Sequence, residues 1–352
     1  MPMLYPFTTS FGTESNRNAL IFELKAGDVT AYSECVTSVR PDYGYEDNTT
    51  ALHVIEDVLV PMIKDLPTPE EFTLRARKIK GDNMAKGALE MLLWDYHSKL
   101  KKKPLHEVLG KTKGFADVGL SIGMDRTETT LERISKAVQA GYQRIKVKIE
   151  KGKEVEILKA VRDNFPEIVL TADANSCYSI NDIDLIKKID RFELKYLEQP
   201  LSYDDLIYHS RLAREISTPI CLDESITSPE KAQKAFEIGA CSVVNIKPGR
   251  IGGLTDSVAV ARIAREFKGH VWVGGMLETG IGRSFNVAMA SLELVDYPGD
   301  TAPNSRYFKK DIVRNQFIME NGRIKPNSGP GIGVDLDHEE LIGHTVMMRR
   351  LI

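Results

Sequence analysis

Between residues 115 and 320 short apolar runs alternate with amphipathic stretches: VGLSIG, RIKVKI, IVLTADA, YLEQP, PICLDES, SVVNIKP and HVWVGGML are separated by segments such as TETTLERISKAVQAG and PEKAQKAFEIGA, whose apolar positions recur at helical spacing. Short apolar runs bounded by helical segments predict parallel strands joined by crossover helices. Seven or eight such units without a dinucleotide-type glycine fingerprint predict a closed (β/α) barrel rather than an open sheet.

The residues before this repeat follow another pattern. NALIFELKAG and VTAYSECV predict two strands joined at Gly27-Asp28. NTTALHVIEDVLVPMIK predicts a helix with Leu52, Ile55, Val58 and Leu59 on one face, and a second helix from about Asn83 places Ala88, Met91, Leu92 and Tyr96 together before Pro104. The expected organisation is an α+β unit over residues 1–112, a barrel over 113–320, and a Gly/Pro-rich tail over 321–352 that packs back on the first unit.

Composition narrows the function classes. At 352 residues, 42% hydrophobic and 28% charged, the chain has the make-up of a soluble globular protein with room for a large core. A net charge of -3 gives no electrostatic case for a nucleic-acid or anionic-membrane partner. The basic run from Lys99 to Lys103 is expected to be solvated. Cys35, Cys177, Cys221 and Cys241 are far apart, which argues against a disulfide framework or a zinc cage and for reduced thiols in a cytoplasmic protein. The N-terminus lacks a basic segment followed by an apolar one, and no apolar run approaches the length of a membrane span.

The chemistry lies at the predicted strand ends. From Lys148 to Asp173, from Asp173 to Glu198 and from Glu198 to Asp223 the step is 25 residues, and Lys247 follows 24 residues later. A single Asp after a strand is ordinarily a cap or turn residue; five charged residues in phase are more than capping explains. In a barrel they surround one mouth, where barrel enzymes hold their active sites. Asp173, Glu198 and Asp223 would repel one another without a cation, and a set of hard oxygen ligands with no nearby His or thiolate suits Mg²⁺ or Mn²⁺. Asn175 is placed to orient a ligand, and Glu224 to hydrogen-bond a neighbouring lysine. Lys146 and Lys148 alternate onto the same face of their strand. Lys148 is then expected to reach the substrate, and Lys146, one layer down, to act as a like charge that lowers its pKa and makes it a general base. Lys247 approaches from the other side of the barrel. Two lysines flanking a metal suit removal of a proton α to a carboxylate, with return of a proton on the other face.

These residues carry a resemblance. K-x-K at Lys146 and Lys148, DAN at 173–175, EQP at 198–200, DES at 223–225 and NIKPGRIGG around Lys247 resemble the muconate-lactonising branch of the enolase superfamily over nearly the whole chain. The resemblance implies a modified (β/α)7β barrel of the α/β class, with an N-terminal α+β capping domain completed by the C-terminal tail, and commonly a homo-oligomer. It implies catalysis by Lys148, Lys247 and Lys146 on a small-molecule carboxylate, with Mg²⁺ or Mn²⁺ held by Asp173, Glu198 and Asp223. GGMLETGIGR at 274–283 is similar to the group of o-succinylbenzoate synthases, which act in menaquinone biosynthesis, and N-succinylamino acid racemases. Muconate cycloisomerases usually carry Gly-Ser where Thr279-Gly280 stands, and GDTAPNS at 299–305 lacks the Asp-x-Asp usual in dipeptide epimerases. The resemblance further implies substrate-binding or supporting positions at Asn175, Glu224, Arg250, Ser121, Gly275, Met276 and Glu278. It adds Phe11 and Tyr43 in two capping loops, FTTSFGT and RPDYGYED, over the succinyl end of the substrate. Arg250, three residues after Lys247, is expected either to lower the pKa of that lysine and favour racemisation or to be a surface or phosphate-steering arginine.

Alternatives remain at this level. Dipeptide epimerases and muconate cycloisomerases share the catalytic set. A Schiff-base aldolase using Lys247 would leave the three carboxylates without a role, and a silent binding protein would need neither lysines nor carboxylates. GPGIGV at 329–334 lies in the tail rather than at a strand-to-helix junction, HEE at 338–340 lacks a second histidine, and Trp94 and His97 are expected to pack.

Overall fold

In the computed structural model, which describes residues 1–9 and 12–352, the chain opens with two antiparallel hairpins. β1 (Pro2–Thr9) pairs with β2 (Gly12–Asn16). β3 (Leu20–Ala26) pairs in continuous register with β4 (Val29–Cys35) across Gly27-Asp28, where Gly27 takes the positive φ of 58° that glycine tolerates best. α1 (Asn48–Val54) starts at Asp47, whose carboxylate accepts from the backbone N–H groups of Thr49 and Thr50. The predicted face fails one turn later. Ile55–Leu59 is a π turn and Val60–Ile63 a 3₁₀ turn; the change of pitch shifts the side-chain phase, leaving Val58 exposed while Val60 and Ile63 join Ile55 and Leu59 in the core. α2 (Pro69–Ala76) has a Thr68/Glu71 capping box with Pro69 in the first turn. α3 (Asn83–Leu100) is buried around most of its circumference, between β4 and the barrel. Lys101 to Lys103 are exposed beyond it, but Lys99 folds back onto Asp95 at 2.7 Å. α4 (Leu105–Leu109) follows.

After β5 (Ala116–Asp117), the seven apolar runs form the seven strands of one parallel sheet. They are β6 (Gly119–Ile122), β7 (Arg144–Lys148), β8 (Leu170–Asp173), β9 (Leu197–Glu198), β10 (Ile220–Leu222), β11 (Val243–Ile246) and β12 (His270–Val273), neighbours in chain order. Between them run α5 (Thr127–Gln139), α6 (Glu154–Asn164), α7 (Ile183–Asp190), α8 (Ile207–Leu212), α9 (Pro229–Glu237), and the pair α10 (Pro248–Ile251) and α11 (Leu254–Glu266), with α12 (Gly280–Ala290) after the last strand. The sheet curls, and residues 298–300 bridge its edges. Gly119 N–H donates to Gly299 O at 2.7 Å and Asp300 N–H to Val273 O at 2.9 Å, so the barrel closes through a segment too short to read as a strand. A Cβ at Gly299 would come within 2.6 Å of Val273 O, which is why this approach requires glycine.

The tail first pairs with the barrel segment, then with the cap. β13 (Met319–Glu320) and β14 (Arg323–Ile324) form a hairpin that adds to β5. Beyond it Gly331 exchanges backbone bonds with Lys103 and Leu105, Ile332 N–H donates to the buried Asp95, and past α13 (His338–His344) Arg349 meets Glu56. One apolar core joins the barrel strands to their helices, a second joins β3, β4 and the helices of the cap, and a small third cluster of Tyr196, Cys221, Val243 and Trp272 lies on the side of the strands that carries Lys146. All four cysteines are free thiols. No helix among the described residues is long and apolar enough to cross a membrane.

Candidate active site

Parallel in-register pairing stacks the strand-end residues. Lys148 is the register partner of Asp173, and Asp173 that of Glu198, while Cys221 partners Glu198, so that Asp223, two residues on, returns to the same face. All three carboxylates are buried. Lys148 Nζ donates to Asp173 Oδ2 at 2.6 Å and to Asn175 Oδ1 at 2.5 Å. Lys146, one layer down, has Glu198 at 2.8 Å, Asp300 at 3.1 Å and Asp173 at 3.2 Å around its ammonium. On the far side of the carboxylates Lys247 Nζ donates to Asp223 Oδ2 at 2.8 Å, and Arg250 bonds the other oxygen of Asp223.

The electrostatics follow from this pairing. Burial alone would raise Asp173, but Lys148 and Lys146 overcome it and hold the carboxyl well below the usual range. Glu198 is pushed up by burial and then by Asp173, and Glu224 likewise. Burial would lower Lys146, yet Asp300, Glu198 and Asp173 together raise it well above an ordinary lysine. The structure thus differs from the expectation of Lys146 as an unbalanced like charge beside Lys148, because three carboxylates balance it. Lys247 is also raised: Tyr43, Glu224 and Glu198 outweigh its burial. Arg250 does not act as expected on Lys247. Its guanidinium is turned to Asp223, to the Tyr43 hydroxyl at 3.1 Å, and to the backbone oxygens of Ile226 and Asn245 at 2.8 and 2.5 Å.

The supporting residues are placed as follows. Asn175, at φ 42°, links Lys148 to Glu224 by donating to Glu224 Oε1 at 3.0 Å. Glu224 therefore bonds an amide where a lysine was expected, since the strand end of Lys247 is already committed to Asp223. Tyr43 crosses from the cap. Its hydroxyl donates to Asp223 Oδ1 at 2.9 Å and accepts from Lys247 at 3.1 Å, and its ring lies 4.3 Å beneath that ammonium. Phe11 lies outside the described residues. Ser121 is the register partner of Lys146, and its backbone oxygen accepts from Arg306 at 2.7 Å. Gly275 permits close packing, because a Cβ there would come within 3.0 Å of Asp300 O. Met276 leans on the core of the cap. Glu278 turns to its own loop and to α12, accepting from Met276 N–H at 2.6 Å and Asn286 at 2.7 Å and forming an ion pair with Arg283 at 2.9 Å.

Three residues escaped the sequence reading. Asn245 donates to Glu198 Oε1 at 2.8 Å; it stands two residues before Lys247, and the alternation that linked Lys146 to Lys148 would have found it. Gln199, at φ 37°, accepts from the backbone N–H groups of Asp223 and Ser225 at 3.0 and 3.3 Å and fixes that turn. Asp300 pairs with Lys146 and Arg144. Continuing the 25-residue step twice past Lys247 reaches Tyr297, three residues short of it.

Among the described residues no three acidic, His or Cys side chains stand close enough together to hold a metal ion as they are; each carboxylate is paired with a cation. The donor set nonetheless suits a hard divalent ion. It is all oxygen and fully buried, Asp173 and Glu198 repel each other, and Glu224 Oε2 has no hydrogen-bond partner among the described residues.

Comparison with known proteins places this arrangement. Residues 1–110 match the mandelate racemase / muconate lactonizing enzyme N-terminal domain, and residues 129–341 the enolase C-terminal domain-like family. The chain is 42% identical over 349 residues to an o-succinylbenzoate synthase of Geobacillus stearothermophilus, covering 98% of this chain and 93% of that one. It is also 42% identical over 339 residues to an N-succinylamino acid racemase of Thermus thermophilus, covering 96% and 92%. A crystal structure of an enolase superfamily member from Listeria innocua superposes with a TM-score of 0.95 at 36% identity, covering 99% of this chain and 95% of that one. With both domains matched over nearly their full length and the strand-end lysines and carboxylates gathered at one mouth, the chain belongs to the mandelate racemase / muconate lactonizing enzyme family of the enolase superfamily.

Proposed function

We propose that this protein removes the proton α to the carboxylate of a small-molecule substrate, acting as an o-succinylbenzoate synthase, an N-succinylamino acid racemase, or both. The observation that carries the reading is the placement of Lys148 and Lys247 at the C-terminal ends of β7 and β11, four strands apart in the curled sheet, each bonded to a different member of the carboxylate trio. The names of the two relatives at 42% identity support the same pair of activities. The catalytic domain is residues 113–320, capped by residues 1–112 and the tail from 321.

Asp173, Glu198 and Asp223 would hold the ion, Mg²⁺ or Mn²⁺. When bound, it supplies positive charge to the substrate carboxylate and competes with the lysines for these three anions, which lowers the lysine pKa values. Lys148 takes the α-proton, held at its angle by Asn175. In the racemase reaction Lys247 delivers a proton to the opposite face, or takes it from the other enantiomer. In the synthase reaction a single abstraction by Lys148 precedes loss of hydroxide, and Lys247 remains a cation beside the ring. Tyr43 orients Asp223 and Lys247 from the cap and excludes water above them.

The test is removal of the ion. Exhaustive chelation, or Asp223→Asn, is expected to abolish both the dehydration that forms o-succinylbenzoate and the racemisation of N-succinylamino acids while leaving the circular dichroism spectrum unchanged. Full activity after chelation contradicts the reading, and borohydride trapping of substrate on Lys247 would replace it with Schiff-base chemistry.

A further inference from the structure

Lys146 has one partner that belongs to neither the cap nor the row of strand-end residues. Asp300 lies on the closing segment between β12 and β6, buried, with its backbone N–H on Val273 O and its backbone oxygen accepting from Arg283 at 2.5 Å. Its Oδ2 is 3.1 Å from Lys146 Nζ, and its Oδ1 accepts from Arg144 at 2.9 Å. Arg144 donates a further bond to Pro298 O at 3.0 Å, while its Nε and Nη1 have no partner among the described residues. Both cations lie against Trp272, Lys146 at 4.6 Å and Arg144 at 4.8 Å from the ring centroid. The barrel floor is thus a closed ionic chain, Arg144 to Asp300 to Lys146, which ends on Glu198 and Asp173.

We propose that Asp300 is a positioning residue for Lys146, a role that rests on the metal and lysine assignments above. Its carboxylate shares the Lys146 ammonium with Glu198 and Asp173 and anchors it one layer below Lys148, so that the ammonium does not rest on those two ligands alone and Lys148 presents the amine nearer the substrate. Without Asp300 the ammonium has only Asp173 and Glu198 left, and it competes directly with a cation for them. Arg144 keeps Asp300 ionised, and the closing segment fixes its height because Gly299 and Gly275 permit the close approach of the chain.

The experiment measures Mn²⁺ affinity by electron paramagnetic resonance, kcat and KM for N-succinylamino acid racemisation, and the crystal structure, for Asp300→Asn and Asp300→Glu. Asp300→Asn is expected to weaken Mn²⁺ binding about 10- to 100-fold, as loss of a group that supports metal ligands does. It is expected to lower kcat more than it changes KM, and Asp300→Glu to recover part of both losses. In a Lys146→Met background, Asp300→Asn is expected to cause no further loss of Mn²⁺ affinity. Wild-type affinity and kcat in Asp300→Asn, or an undiminished effect in the Lys146→Met background, overturns the proposal. If the uncompensated Arg144 prevents Asp300→Asn from folding, Arg144→Met/Asp300→Asn removes that cation and takes its place. Failure of both to fold overturns the proposal, because Asp300 would then serve the barrel closure alone. Absence of Mn²⁺ binding in the wild-type protein refutes the metal assignment instead. The crystal structure then decides about Asp300: the Lys146 ammonium is expected to leave the barrel floor in Asp300→Asn, and an unmoved ammonium overturns the proposal.

Discussion

Replacing Tyr43 with Phe removes one hydroxyl and keeps the ring. That hydroxyl donates to Asp223 Oδ1 at 2.9 Å and accepts from Lys247 and Arg250, each at 3.1 Å. Burial raises its pKa, so it remains a proton donor at neutral pH. The three bonds do not add, because Asp223, Lys247 and Arg250 still hold one another after the hydroxyl is gone. The net loss is about that of one hydrogen bond to a charged group, roughly 1.5–3 kcal/mol. If that loss falls on the transition state, it corresponds to a decrease on the order of 10- to 100-fold in kcat/KM. Because the hydroxyl touches the lysine expected to be the second base, most of the decrease is expected in kcat for racemisation, and less in the synthase reaction, where Lys247 moves no proton. Tyr43→Ala also removes the ring under the ammonium and is expected to be worse by a further ~0.5–2 kcal/mol. Steady-state kinetics on both substrates, with the two variants side by side, measure this. A rise in KM at constant kcat would refute the reasoning and return Tyr43 to the role of a loop residue that grips only the substrate.

Two further outcomes concern the scaffold. Asp95→Ala leaves the backbone N–H groups of Tyr32 and Ile332 and the Lys99 ammonium without their carboxylate; the expected destabilisation is about 3–5 kcal/mol in urea unfolding, and a loss below about 1 kcal/mol would show that the tail is held to the cap by other means. Glu90, which caps the N-terminus of α11 through Leu254 and Thr255, is raised by burial from 4.5 to about 7. Its folded pKa is above its unfolded one, so its contribution to stability is complete below about pH 4.5 and is lost as pH rises through about 7, by up to roughly 3 kcal/mol. Glu90→Gln is expected to be less stable at acid pH but to have a flatter decline between pH 4.5 and 7, and an unchanged slope in urea midpoints contradicts this.

The barrel strands and their order were legible because each is a short apolar run and five of the seven carry a charged residue at their C-terminal end at a nearly constant step, a pattern set by the geometry of one repeating unit. What the sequence could not show was how charges balance once the strands are side by side. Lys146 and Lys148 were correctly placed on one face, but the partner that changes the character of Lys146 is Asp300, which follows Tyr-Pro-Gly in a segment with no strand pattern. Similarly, Arg250 looked like a neighbour of Lys247 in sequence, whereas the turn of α10 aims it past the lysine at Asp223. Tyr43 sits in a loop with no periodicity, and only the docking of cap on barrel brings it to Lys247. At Val58 the helical pattern itself misled, since a π turn carries no hydrophobic signature distinct from an α turn.

The central claim is that Lys148 and Lys247 act on opposite faces of one α-carbon. Exchange of the α-hydrogen with D₂O, followed by NMR from each enantiomer of an N-succinylamino acid separately, tests it most directly. Lys247→Ala is expected to stop racemisation yet still exchange one enantiomer through Lys148, with retention, and Lys148→Ala is expected to exchange only the other. Racemisation at the wild-type rate in Lys247→Ala, or equal exchange of both enantiomers in either variant, would contradict the account.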